Sequence, residues 1–526
     1  MDRTTRVLTA SLLALASLAA APSASCQDSG IFLDGRWDGS VDLGEGPEEL
    51  SLRLFSGEGR GDGGIVDMPE HGLFGYPMGE LSRGPEGLSF TLFGSASGNA
   101  PFAGRFELSG APKLPSSDGS FAIGGAFRLI PGADRLSSAA AEGSFSLSFS
   151  GSSSRGSAFG EDYAFGGSRG LLRGSLLLPE DWDAEMALPL VLILSGAEAD
   201  RDGNNYAVPG RSDALADLAI ALARRGIASL RYDQRGAGES YRLAGKEEDR
   251  RFDDHIEDAR AALLALAADS RFSSITVVGF AQGALVGASV LKDASALQDA
   301  ALKGRVAGFV ALCASGRTEL EIIEDELSYT PDELMPEARS IMDAIAKGRI
   351  YPNPSSYFAD YFRPSYQAYL SSLFSRDIRA SVASLGCPVL VAAGGSDLQV
   401  SLGEAELLAE AKEGAAFRVI AGMSHALKET GDDEEANYAS FTDPTLPFAE
   451  GLADAIAAFA MGDALPGEDP RFAAMPETVN VEPEPDAAEL DSGSYPADAG
   501  GETGADSGAD GGAESPADDS PESLPR

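Results

Sequence analysis

Cysteine and histidine are scarce in this chain, with three of each in 526 residues. The cysteines are Cys26, Cys313 and Cys387. Cys26 sits beside the small residues Ser23-Ala24-Ser25 near the start, which leaves two for the folded part. Cys313 lies near the end of one predicted parallel strand and Cys387 just before the start of another. Opposite ends of neighbouring strands are roughly 15 Å apart at the usual rise, beyond the reach of a disulfide. A disulfide framework is thereby excluded, and both are expected as buried, reduced core residues. No metal-ligand cluster and no phosphate-cradling loop is evident, so neither a metal nor another cofactor is expected.

Positive charge is the second shortage. Forty Lys and Arg face 82 Asp and Glu, a net charge of -42. That balance argues against nucleic acid or anionic lipid as an electrostatic partner and favours solubility. About a third of the excess lies in residues 462–526, whose only cations are Arg471 and Arg526. A long hydrophobic run is also missing. Val7 to Ala21 follows Arg3 and Arg6 and is too short for a comfortable membrane span. With the small residues after it, the segment 1–26 reads as a secretory signal peptide, and the protein is expected to be exported. Cys26 resembles the processing site of a bacterial lipoprotein and would carry a lipid anchor. Ser23 departs from the aliphatic such sites carry, and simple cleavage near Ala24 is the alternative.

What is abundant is pattern. Residues 30–150 alternate apolar and polar side chains in short runs: Leu52 and Leu54; Leu88, Phe90 and Leu92; Phe102, Phe106 and Leu108; Phe121 and Ile123; Phe127 and Leu129; Phe145, Leu147 and Phe149. Gly, Pro, Ser and Asp clusters separate them. This predicts a small all-β sandwich or barrel. His71 is expected as a loop residue there. Residues 151–168, rich in Ser and Gly, read as a linker.

From 169 to 461 strands alternate with helices. Strands are expected at 171–179, 190–195, 227–232, 274–280, 306–313, 389–393 and 417–421. Helices are expected at 211–225, 253–268 and 282–291. That order predicts a parallel sheet covered on both faces. An insertion at 317–380 carries the helical stretches 319–327 and 331–347. It then carries the aromatics Tyr351, Tyr357, Phe358, Tyr361, Phe362, Tyr366 and Tyr369. It leaves the carboxyl end of a strand and is expected to act as a lid. Its aromatics either line an apolar pocket or fix lid to body. Residues 462–526 have too little apolar content to offset ordering entropy and are expected to be disordered.

The chemistry-bearing string is Thr276-Val277-Val278-Gly279-Phe280-Ala281-Gln282-Gly283-Ala284: strand, sharp turn, helix start. It is the setting of a G-x-S-x-G nucleophile elbow with Ala281 in the serine position. Three further stretches matter. They are Ser195 to Asn205, Leu230-Arg231-Tyr232-Asp233-Gln234-Arg235-Gly236-Ala237-Gly238-Glu239-Ser240, and Gly35-Arg36-Trp37-Asp38-Gly39. The elbow and the first two stretches together resemble the α/β-hydrolase fold over residues 170–460, and the last resembles the start of an associated β-domain over 30–130. More closely, they resemble exported bacterial esterases and acyl hydrolases with an N-terminal β-domain.

The resemblance implies a triad acid at Asp397, after a strand in Gly394-Gly395-Ser396-Asp397, and a base at His425, after the last strand in Gly422-Met423-Ser424-His425. Taken alone, Asp397 could be a turn or cap residue and His425 a surface loop residue. It also implies an oxyanion hole from the N–H of Gln282 and that of Gly196 or Ala197. Arg201 and Asp202 would order the nearby loop. Asp233 and Arg235 would fix the turn after their strand. His255, at a helix start among acidic neighbours, is expected to be solvated or capping.

The departure is at the elbow. The family pattern is Gly-His-Ser-x-Gly-Gly, and here it is Gly279-Phe280-Ala281-Gln282-Gly283-Ala284. A methyl group cannot attack a carbonyl, and Ser315 and Cys313 could only approach the site from the next strand. The expected function is an esterase-like hydrolase scaffold that can bind a small acyl or ester ligand and barely turns it over. An active ester or thioester hydrolase with an unconventional nucleophile, or with a water activated by His425, is one alternative. An exported binding module is the other.

Overall fold

The computed structural model describes residues 34–466 apart from 45, 56–62, 72, 85–86, 93–103, 114–121, 132–140, 152–159, 184, 197–198, 205–210 and 293–300. The expected signal segment with Cys26, the residues Phe102 and Phe121, and the acidic tail from 467 onward lie outside the described residues.

The alternating runs of the first part form one antiparallel sheet. Its strands are β1 (Gly35–Asp42), β2 (Pro47–Phe55), β3 (Gly63–Met68), β4 (Leu73–Pro77), β5 (Gly79–Gly84), β6 (Gly87–Leu92), β7 (Gly104–Lys113), β8 (Ala122–Pro131) and β9 (Ala141–Gly151). They lie in the order β4-β3-β2-β1-β9-β8-β7-β6-β5. The inward residues, among them Leu52, Leu54, Phe90, Phe106, Phe127 and Leu147, pack around the fully buried Trp37. The edge strands β4 and β5 are joined through the single buried residue Met78. The sheet therefore curls until its two edges meet in the chain, which protects edges that would otherwise be open for pairing.

A second sheet follows, built from β10 (Glu161–Gly167), β11 (Gly170–Leu177), β12 (Leu188–Leu194), β13 (Ala228–Tyr232), β14 (Phe272–Phe280), β15 (Val306–Leu312), β16 (Val389–Gly394) and β17 (Ala416–Ile420). The order is β10-β11-β13-β12-β14-β15-β16-β17. Strand β11 runs antiparallel to its neighbours β10 and β13, and the six strands from β12 onward pair in parallel. Strand β10 is a correction to the sequence reading, which assigned 151–168 to a linker. Tyr163 and Phe165 alternate within Glu161–Gly167, Phe165 is buried, and the run pairs with β11 across a tight turn.

Both faces of this sheet are covered, as a parallel sheet requires. Along β12, Leu190, Leu192 and Leu194 face the helices Asp253–Ala268 and Gly283–Lys292. Val191 and Ile193 face the helices Ala214–Ala223 and Glu450–Met461. The insertion carries four helices, Glu319–Leu327, Met335–Ala346, Gln367–Phe374 and Ile378–Ala383. The first starts at a reciprocal capping box between Thr318 and Glu321. Of its aromatics, Phe358, Phe362, Tyr366 and Tyr369 are buried in the same cluster as the helix Asp253–Ala268. These four fix the insertion to the body, whereas Tyr357 is exposed.

Candidate active site

The elbow follows from the place of β14 between β12 and β15. Ala281 continues the ladder by one bond, its N–H donating to the Leu312 carbonyl at 2.9 Å. The chain then reverses: Ala281 has φ +50°, a left-handed conformation that a residue with a Cβ rarely adopts. Its carbonyl accepts from the Ala284 N–H at 3.0 Å as the helix Gly283–Lys292 begins. The two glycines are required by space. A Cβ on Gly279 would lie 2.4 Å from the Ala284 Cα, and one on Gly283 would lie 2.3 Å from the Leu194 carbonyl oxygen. The turn thus has the shape of a nucleophile elbow, with a methyl group at its apex.

Asp397 and His425 leave the carboxyl ends of β16 and β17, and the structure places them side by side. His425 Nδ1 lies 2.9 Å from Asp397 Oδ2. The carboxylate accepts from Nδ1–H, which leaves Nε2 of a neutral ring with its lone pair free to take a proton. Asp397 Oδ1 accepts the N–H of Gln399 at 2.8 Å and of Val400 at 2.9 Å. Burial works to raise the Asp397 pKa, but His425 and these two N–H groups hold it below the usual carboxylate range. The two loops are stitched together: Gly395 N–H donates to the Ile420 carbonyl at 2.8 Å and Ser396 N–H to the Met423 carbonyl at 3.0 Å. The His425 ring packs against Phe280, the neighbour of Ala281, with centroids 5.2 Å apart.

Of the segment expected to supply the second oxyanion-hole N–H, Gly196 is described. Gly196 follows β12, and a Cβ built on it would lie 3.6 Å from the Ala281 Cβ, so this segment faces the elbow. Ala197 lies outside the described residues. Gln234, to which the sequence reading gave no role, fixes this segment. Its Nε2 donates to the carbonyls of both Ser195 and Gly196 at 2.8 Å. Gln282 bonds through its side chain to Glu319, the first residue of the lid helix Glu319–Leu327. Burial raises the Glu319 pKa and that bond lowers it in part.

The loop residues named from sequence form ion pairs after β12 and β13. Arg201 donates its backbone N–H to Asp233 Oδ1 at 2.8 Å and Nη2 to Asp233 Oδ2 at 2.5 Å. Asp202 holds Arg231 at 2.8 Å. Arg235 bridges Asp254 and Asp258 at 2.8 and 2.6 Å. These ion pairs order the turns after β12 and β13. His71 lies outside the constellation, on a short turn where Nε2 meets Glu48 Oε2 at 2.6 Å. His255 corrects the sequence reading: it is buried beneath Tyr369 rather than solvated, because the lid covers the start of its helix.

Cys313 and Cys387 are free and buried. Cys313, at the end of β15, has φ +48° and reaches the acid–base pair. Its sulfur, an Asp397 oxygen and a His425 nitrogen lie within 4.8 Å of one another. Burial, the Asp397 charge and a hydrogen bond to Asp397 push the thiol well above its ordinary range. A protonated thiol is a poor nucleophile and a poor metal ligand. These three donors could bind an ion only if the thiol ionised and the 2.9 Å Asp–His bond opened. Ser315, the other nearby hydroxyl, accepts the Arg317 N–H at 3.0 Å.

The sheet order, the elbow after β14, and the acid and histidine positions after β16 and β17 define an α/β-hydrolase fold. The family described as Hydrolase_4: Serine aminopeptidase, S33, matches residues 210–338. No curated protein matches the chain. Among solved structures, the chain is similar to a proline iminopeptidase from Mycobacterium smegmatis. That match has 16% identity, covers 57% of this chain and 98% of that one, and has a TM-score of 0.37. It is also similar to Est1E from Butyrivibrio proteoclasticus, with 14% identity, 53% and 95% coverage and a TM-score of 0.34. A hydrolase from Pseudomonas aeruginosa PA01 matches with 20% identity, 53% and 97% coverage and a TM-score of 0.33.

Proposed function

We propose that this protein is an α/β-hydrolase of the carboxylesterase or acyl hydrolase type whose chemistry has lapsed, so that it binds a small acyl or ester ligand and barely hydrolyses it. The observation that carries this reading is Ala281 at φ +50° on the elbow, while Asp397 and His425 remain hydrogen-bonded at 2.9 Å. In acyl transfer on this fold a hydroxyl at the elbow attacks the carbonyl carbon as the histidine takes its proton. The N–H groups of the oxyanion hole then stabilise the charged oxygen. A methyl group has no lone pair to give, so His425 has nothing to deprotonate at residue 281. Cys313 does not substitute for it, since its thiol is kept protonated beside Asp397. Without the nucleophile, such sites retain a rate of roughly 10³–10⁴ over water from the oxyanion hole and binding.

We place the protein outside the cytoplasm, held by a lipid on Cys26 or released by cleavage near Ala24, on the strength of the 1–26 leader alone.

The test is restoration of one hydroxyl. The native chain and Ala281→Ser are compared on short-chain aryl esters and with a serine-reactive phosphonate. The expected result is an inactive native chain and an Ala281→Ser variant that hydrolyses the esters and is labelled once. Adding His425→Ala should reduce its rate by about 10³-fold or more. Native esterase activity that disappears in His425→Ala would overturn the proposal in favour of an unconventional nucleophile or a His425-activated water. A folded Ala281→Ser variant with no gain would instead favour a binding module.

A further inference from the structure

A pocket lies where the insertion meets the body, walled by three elements distant in sequence. The turn after β13 contributes Arg235 and Gly236. The start of the helix Asp253–Ala268 contributes Arg250, Arg251, Asp254 and His255. The lid contributes Tyr366 and Tyr369. The two tyrosine rings stack with centroids 5.0 Å apart, and Tyr369 meets the His255 ring edge-on at 6.0 Å.

Three observations point to a ligand. First, His255 is 9% exposed, and no hydrogen bond to its ring nitrogens forms among the described residues. A buried polar ring normally finds a partner. Second, the cations are unevenly balanced. Arg235 is held by Asp254 and Asp258, whereas neither Arg250 nor Arg251 forms a salt bridge among the described residues. The buried Nε of Arg250 has no hydrogen-bond partner there, and the Arg251 guanidinium donates only to the carbonyls of Glu248 and Arg250. Third, the pocket sits at the N-terminal turn of a helix of 16 residues, where the helix dipole favours negative charge. In a chain of net charge -42 a pocket with two unpaired guanidinium groups is out of character.

We propose that this pocket binds a phosphate-type oxyanion, with Arg250 and Arg251 supplying charge and His255 one hydrogen bond. Arginine suits this role because its planar fork matches oxyanion geometry. The bound ion would bridge body and lid, since its walls come from both.

His255 reports on occupancy. Burial, together with Arg235 and Arg250 and against the pull of Asp254, brings it down to about 4, so the ring is neutral near pH 7. A neighbouring anion would reverse the electrostatic part and favour the charged ring. The chain has only three histidines, so its ring signal can be assigned by substitution. The full-length protein is titrated with inorganic phosphate, with chloride at matched ionic strength as control, and ring ¹⁵N shifts are followed by NMR. The expected result is a saturable shift confined to His255, with its apparent pKa raised by about 1–3 units. Arg250→Gln and Arg251→Gln, made separately in case one fails to fold, should each weaken phosphate at least about tenfold. A parallel titration with glycerol phosphate separates sources. Equal binding assigns the pocket to phosphate monoesters, and binding of inorganic phosphate alone assigns it to the free ion. His255 signals that titrate near their native value and do not respond to either phosphate would overturn the proposal and leave the ring as packing only.

Discussion

At the scale of the residue, Ala281 shows how firmly the fold dictates local conformation. An L-residue in the left-handed region is strained by about 1–2 kcal/mol, and such strain persists only where the surroundings over-determine it. Here the Leu312 carbonyl, the Leu194 backbone and the helix start fix the turn from three sides. Glycine would relieve the strain at some cost in unfolded-state entropy. Ala281→Gly is therefore expected to stabilise the protein by about 0.5–1 kcal/mol, measured by urea unfolding; a loss would show that the turn is unstrained. His255 makes a second prediction at this scale. Its folded value of about 4 lies below the ordinary 6.5. The unfolded chain thus binds the extra proton between these limits, and stability falls as pH drops from 6.5 towards 4. The total is about 2–4 kcal/mol. In His255→Leu that part of the pH dependence should vanish, as read from unfolding free energies across the window.

At the scale of the element, the first lid helix carries a latent repulsion. Glu319 and Glu326 are two turns apart on one face of Glu319–Leu327. Burial, then the charge of Glu319, pushes Glu326 up to about 7. A carboxyl raised above its ordinary value of 4.5 stabilises the fold when protonated, and that contribution is lost as pH rises from 4.5 through 7. Glu326→Gln should therefore add about 1–2 kcal/mol at pH 7.5 and little at pH 4.5. A pH-independent effect in thermal melts would refute the argument. Some elements were legible from periodicity alone: the helix Asp253–Ala268 and the lid helix Glu319–Leu327 have the bounds expected from their patterns. Others were not. The helices Leu402–Glu410 and Glu434–Ala439 are short, and short runs carry too few turns to display a face. In β10 the alternation of Tyr163 and Phe165 was hidden by the glycines around it.

At the scale of the whole molecule, the curled sheet docks on the hydrolase core through buried charge. Arg53 of β2 reaches Glu239 at 2.8 Å, and Glu239 also meets Arg201, itself bound to Asp233. The Tyr241 hydroxyl donates to the Met78 carbonyl at 2.6 Å. Removing one partner of a buried pair leaves its charge uncompensated, which costs about 3–5 kcal/mol. Arg201 remains beside Glu239, so Arg53→Ala should fall nearer 2 kcal/mol. Calorimetry should show the loss, and unchanged melting would mean that the network adds nothing. Lys428 is fully buried against Asp217 and the Pro444 carbonyl, and it pins the loop that carries His425.

The sequence by itself determined the strand order from 169 to 461, the alternating β-region before it, and the alanine at the sharp turn of residue 281. These are local properties, written in periodicities of two and 3.6 residues and in the glycines that a tight turn needs. Only the tertiary structure decided what stands next to what. Cys313 meets Asp397 because β15 and β16 are parallel neighbours whose carboxyl ends coincide. Gln234 reaches Ser195 because β12 and β13 pair. His255 is buried because a lid helix beyond residue 366 covers it. Contacts between distant segments depend on sheet order and on which face each helix covers. Neither is encoded in any one stretch of the chain, so the pairing of acid with base was inferable from fold resemblance, and the Cys313–Asp397 contact, the Gln234 hydrogen bonds and the burial of His255 were not.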